Sequence, residues 1–152
     1  MHADVDMSGR IEETNRPTAV AMANGVHYSV LISAREKRRA IKTLQQARPK
    51  RDATTIHVRI FAILLFWVLR QYLFKLQQVT VDVEYPGHEA TIKNMVLTLS
   101  RKHKLRMFAD QIIFAQVGKK SPSHGLAYSV YKGKRQPERR VTAEAIVKAF
   151  GQ

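Results

Sequence analysis

Two pairs of acids stand at alternate positions of two apolar stretches: Asp4 and Asp6 in HADVDMSG, and Asp82 and Glu84 in VTVDVEYPGHE. Alternate residues of an extended strand share a face, so each pair projects to one side. Carboxylates are scarce in this chain, 12 Asp and Glu against 26 Lys and Arg, for a net charge of +14. Packed together, they repel one another unless a cation sits among them. Hard carboxylate oxygens select Mg²⁺ or Mn²⁺, which also accept waters and phosphate oxygens as ligands. If the two strands are neighbours, their polar faces join into a negative pit within a positive surface. The plainer alternatives are a solvated strand face for Asp82 and Glu84 and a frayed terminal strand for Asp6.

The elements that must position these acids follow from periodicity. After the first strand, TAVAMANG and VHYSVLIS read as a hairpin, because Asn24-Gly25 supplies two residues that tolerate positive φ. Residues 34–46, AREKRRAIKTLQQ, suit a basic helix, and Arg48-Pro49 ends it. Asp52, Thr54 or Thr55 is the expected cap of the next helix, about 55–76, which is apolar nearly all round and therefore buried. The fourth strand puts Val79, Val81, Val83 and Tyr85 on one face and Thr80, Asp82 and Glu84 on the other. A helix over 88–101 carries Ile92, Val96 and Leu99 at helical spacing. QIIFAQVG, 111–118, reads as a fifth strand, followed by a basic loop containing a short helix. VTAEAIVKAF closes the chain as a helix with Thr142 as its N-cap. The expectation is an α/β fold in one domain over 1–152. Its mixed sheet has five strands in the order β-β-β-α-β-α-β-α, with helices on both faces and right-handed crossovers.

Composition narrows the function. With 45% hydrophobic and 25% charged residues the chain can bury a real core. A charge of +14 and a pI near 10.5 favour polyanions, nucleic acid ahead of acidic membrane. The absence of cysteine excludes disulfides and thiolate metal sites and suits a reducing compartment. MHADVDMSGR carries two acids and no apolar core of a secretory signal. The run IFAILLFWVL, 60–69, is about half the roughly 20 residues a spanning helix needs. The expected location is cytoplasmic, without membrane attachment.

The order of elements, with Asp on the first strand and Asp at the end of the fourth, resembles the ribonuclease H-like nuclease superfamily. MHADVDMSG stands where its members carry the first aspartate, and VTVDVEYPGHEATIK where they carry the second. VGKKSPSHGLAYSVYKG stands at the last strand and following helix, where a final Asp, Glu or His is placed. The resemblance implies Asp6 as the central ligand bridging two metals, Asp82 as the second ligand and His124 as the third. Taken on its own, His124 is equally a loop or helix-cap histidine. Many members carry a further acid on the helix after the third strand, yet none occurs from Ala53 to Val81. Glu84 substitutes for it, or the site has three ligands. The stretch 34–76 is also longer than one helix.

The implied activity is divalent-metal-dependent hydrolysis of DNA or RNA phosphodiesters by a two-metal mechanism. The alternative is a non-catalytic basic nucleic-acid-binding domain or ribonucleoprotein subunit. Lys119 and Lys120 would grip the scissile strand. Lys132, Lys134, Arg135, Arg139 and Arg140, with Arg35, Lys37, Arg38 and Arg39, would supply sequence-independent affinity. His88 and Glu89 open a helix, where Glu89 is favourable through the dipole alone. Tyr128 and Tyr131 read as packing residues. Neither Ser8-Gly9 nor Ser121-Pro122-Ser123 has the glycines that flank the serine of a nucleophile elbow.

Overall fold

In the computed structural model, which describes residues 1–151, alternation sets the first strand. β1 (His2–Ser8) sends Ala3, Val5 and Met7 into the main core, so Asp4, Asp6 and Ser8 take the opposite face. β2 (Thr18–Ala23) pairs antiparallel with β1 and with β3 (Tyr28–Ile32). The β2–β3 turn uses φ of 76° at Asn24 and 107° at Gly25, the left-handed values the Asn-Gly dipeptide predicts.

The region 34–76 is two helices: α1 (Ala34–Ala47) and α2 (Ala53–Leu69). The Ser33 hydroxyl caps α1 by accepting from the Glu36 amide. α2 starts after Asp52 and stops at Leu69, and residues 70–77 are turns and bends. Residues 60–69 are buried throughout, because α2 is enclosed by the sheet and the other helices of its layer. Among the described residues no helix is long and apolar enough to cross a membrane.

β4 (Gln78–Val81) runs parallel to β1, and β5 (Ile112–Phe114) parallel to β4. α3 (Glu89–Lys102) and a 3₁₀ turn (Ala109–Gln111) connect them. α4 (Pro122–Tyr131) follows β5, then β6 (Arg139–Val141) and α5 (Ala143–Phe150), whose N-cap Thr142 accepts from the Ala145 amide. The sheet order is β5-β4-β1-β2-β3-β6.

The sheet therefore has six strands, not five. β6 pairs parallel with β3 inside the stretch expected to be a basic loop. Three residues, two of them arginine, are too few to show alternation. The pairing is fastened from outside the strand: the Glu138 carboxylate accepts from the Ser29 amide at 2.9 Å and the Ser29 hydroxyl at 2.6 Å. The fourth and fifth strands are also shorter than expected, ending at Val81 and Phe114.

The layers are unequal. Side chains of α1, α2, α3 and α5 share the main core with Val5, Val20 and Val30. On the other face α4 packs Leu126, Ala127 and Val130 against Ala19, Ala21 and Ala23 of the sheet. The alanines let α4 sit close to the sheet, beside the polar row of β1.

Candidate metal centre

Parallel pairing of β1 and β4 aligns Asp4 with Thr80 and Val5 with Val81. The ladder continues through the Asp82 amide, which donates to the Val5 carbonyl at 3.0 Å. One step further, Asp6 and Asp82 stand side by side on the α4 face. Past β4 the chain bends and returns Glu84 toward them. One carboxylate oxygen from each of Asp6, Asp82 and Glu84 lies within 4.8 Å of the others. This set could hold a metal ion. Asp4 shares their face but lies about 6.5 Å further up the strand, outside the cluster.

Each acid is held by its own contacts. Asp6 is buried; Oδ1 accepts from the Met7 amide at 2.8 Å, and Oδ2 lies 2.7 Å from Nδ1 of His124. The contact is a hydrogen bond in which Nδ1 donates to the carboxylate in the tautomer that carries its proton there. His124 rides on the first turn of α4, where Pro122 and the Ser121 cap start the helix over the end of β1. It lies outside the mutual 4.8 Å set and reaches it through Asp6. Asp82 Oδ1 accepts from the Val117 amide at 2.8 Å, which ties the segment after β5 to the site.

Glu84 is the most perturbed group. Burial first, then hydrogen bonding and charge from Asp82 and Asp6, push its carboxyl far above the ordinary carboxylate range, to about 9. Its side chain is 11% exposed. Three acids on one spot with one driven to the neutral form is the electrostatic condition that a cation relieves. Oxygen donors without sulfur are the set that hard divalent cations prefer.

A second ring of contacts positions Glu84. Arg10 donates to the Glu84 carbonyl at 2.8 Å and to the Glu12 carboxylate at 3.0 Å, and its guanidinium lies over the Tyr85 ring, 4.9 Å from the centroid. The Tyr85 hydroxyl donates to Glu12 at 3.0 Å. Arg10 follows Gly9, whose φ of 78° turns the chain off β1. A Cβ there would sit 2.2 Å from the Pro17 carbonyl oxygen, so only glycine fits.

The basic residues divide among several places. Lys119 lines the cleft of about 440 Å³ with Asp6, Asp82, Glu84, Gln116 and His124, and Lys120 is exposed beside it. Lys132 follows the far end of α4, about 12 Å along the helix from His124. The chain then folds back: the Lys134 and Arg135 amides donate to the Ser129 carbonyl, and Arg135 lines a separate hollow with Pro122 and Leu126. Arg35, Arg38 and Arg39 are on α1, across the sheet, and Arg39 pairs with Glu36 at 3.0 Å. Arg139 lies over Trp67 in the same helical layer, whereas Arg140 is exposed and donates to Gln136.

Lys37 is not a surface cation. It is fully buried, and Nζ donates to the carbonyls of Arg10 and Glu13 and to the Thr18 hydroxyl at 2.8–3.0 Å. Burial pulls its ammonium down to about 8, still protonated at neutral pH with three acceptors for three donors. It braces the 10–18 loop and touches no phosphate. The signal was present: Lys37, Ala40 and Leu44 share the inward stripe of α1. Arg10, by contrast, was marked by no spacing or motif. Comparison with family models, characterised proteins and solved structures finds no match to this chain.

Proposed function

We propose that the protein is a divalent-metal-dependent nuclease of ribonuclease H-like type, hydrolysing phosphodiester bonds of DNA or RNA with Mg²⁺ or Mn²⁺. The observation that carries this reading is the convergence of Asp6, Asp82 and Glu84 within 4.8 Å at the ends of adjacent parallel strands. The resemblance adds its support: an acid on the first strand, a second at the end of the fourth, and a histidine on the helix after the fifth. Asp6, Asp82 and Glu84 would hold the cation, with His124 fixing the Asp6 carboxylate.

Bound divalent ions supply an acidified water and charge stabilisation at the leaving oxygen. The chain's own residues do the rest. Asp6 and Asp82 are held in register by the β1–β4 ladder, so their oxygens need no reorganisation. The Nε2 of His124, opposite the Asp6 contact, is free to exchange a proton at the cleft. Lys119, on the cleft wall, offers an ammonium to a phosphate oxygen. The net charge of +14 supplies attraction to a nucleic-acid backbone.

The test uses labelled duplex DNA, duplex RNA, RNA–DNA hybrid and four-way junction. Mg²⁺- or Mn²⁺-dependent cleavage is expected with the wild type and is lost in Asp6→Asn and in Asp82→Asn, with binding retained. Binding without cleavage of any substrate under any metal would assign the chain to non-catalytic nucleic-acid binding instead.

A further inference from the structure

We propose that the hollow between α2, α3, α5 and β6, on the helical side of the sheet, binds a small phosphate ester with an apolar body. The proposal does not depend on the nuclease reading, because the hollow lies across the sheet from the carboxylates. Its volume is about 260 Å³, and Phe66, Trp67, Arg70, His103, Arg139 and Lys148 are among its walls. No Asp or Glu lines it.

Two features make it a recognition site rather than a gap between helices. The first is a pre-set guanidinium. Arg139 lies over the indole of Trp67, with Cζ 4.3 Å from the ring centroid. Stacking of this kind fixes the plane of the guanidinium and leaves its edge donors free for a bidentate oxyanion. Among the described residues neither Arg139 nor Arg70 has a carboxylate within 4 Å. Burial, and after it the charge of Arg70, disfavour the charged form of Arg139, as expected of like charges without a counter-ion.

The second feature is the floor. Phe66, Trp67 and Leu99 are buried side chains that contribute apolar surface, and the His103 ring packs on Phe66 at 5.3 Å. A concave apolar floor with a few convergent polar groups is the pattern of small-ligand sites, and this volume falls just below the usual range of about 300–1,000 Å³, which limits the ligand to a small one. Two guanidiniums and the Lys148 ammonium favour a dianion over a singly charged carboxylate. A phosphomonoester on a ring-sized apolar group meets both requirements.

Trp67 is the single tryptophan of the chain, so emission excited selectively from tryptophan rather than from the five tyrosines reports on this hollow. The experiment titrates phenyl phosphate, inorganic phosphate and benzoate into the metal-free protein, with calorimetry as a second readout. Expected is a saturable change with phenyl phosphate and affinity at least about tenfold weaker for the other two. Arg139→Gln and Arg70→Gln should each weaken phenyl phosphate at least about tenfold, as loss of a hydrogen bond to a charged group implies. Should Arg139→Gln fail to fold by circular dichroism, Arg70→Gln at the end of α2 carries the test. No saturable binding by either readout would overturn the proposal. So would equal affinity for inorganic phosphate or benzoate, or unchanged affinity in a folded variant.

Discussion

Arg10 donates to the carbonyl oxygen of Glu84 at 2.8 Å and holds a second guanidinium nitrogen 3.6 Å from the carboxylate of the same residue. One side chain from the β1–β2 connection thus holds the backbone of an acid beyond β4 and lies beside its carboxyl group. Partners that orient ligands in this way typically account for about 10–100-fold in metal affinity. Arg10→Gln is expected to weaken Mn²⁺ binding by about that factor, with the thermal transition of the metal-free protein little changed. Equal Mn²⁺ affinity in variant and wild type would show that Glu84 needs no such support.

The raised Glu84 carboxyl gives the metal-free fold a defined pH dependence. Its folded value lies above the unfolded one, so its contribution is complete below the ordinary glutamate value of 4.5. It is lost as pH rises toward about 9. Metal-free wild type should therefore lose stability across that window, and Glu84→Gln should lose less. Cation uptake requires the carboxylate, so Mn²⁺ binding near neutral pH should release protons. Calorimetry in two buffers of different ionisation enthalpy measures that release; heats independent of buffer would contradict it.

Lys37 tests the internal brace. Lys37→Met removes an ammonium that satisfies three acceptors beneath the 10–18 loop. A loss of about 2–4 kcal/mol in urea unfolding at pH 7 is expected, with nucleic-acid affinity of the folded fraction unchanged. A drop in affinity without a drop in stability would return Lys37 to the surface role its neighbours suggest.

The contrast between Lys37 and Asp82 shows what could be read in advance. Alternation, visible in the residues, puts Asp6 and Asp82 on one face of their strands. But β2, β3 and two helices separate those strands in the chain, and the parallel β1–β4 pairing that joins the two acids is a tertiary choice that alternation does not set. Glu84 joins them only because β4 ends at Val81 and the chain folds back; alternation alone would leave it further along the strand. β6 was hidden because Arg139-Arg140-Val141 is too short and too charged to declare a strand, and its anchor is Glu138 on Ser29. Lys37 carries the charge of a surface residue at a buried helical position, shared with Ala40 and Leu44, so its composition and its place in the helix point in opposite directions. Arg10 was invisible because its partners lie on segments distant in the chain.

Gly9 tests the turn that delivers Arg10. Gly9→Ala must adopt φ near 78° and meet the Pro17 carbonyl and the Tyr131 ring. Strain of this kind costs about 1–3 kcal/mol from φ alone, and the contact adds to it. Thermal unfolding should report a clear loss, accompanied by weaker Mn²⁺ binding through displacement of Arg10. A variant as stable as wild type would contradict the close approach described here.

The central claim is that Asp6, Asp82 and Glu84 form one divalent-cation site, and a direct Mn²⁺ titration followed by electron paramagnetic resonance tests it. The wild type should bind Mn²⁺ saturably, with Mg²⁺ competing, and Asp6→Asn combined with Asp82→Asn should abolish that binding while remaining folded. Saturable binding that persists in the double variant, or none in the wild type, would contradict it.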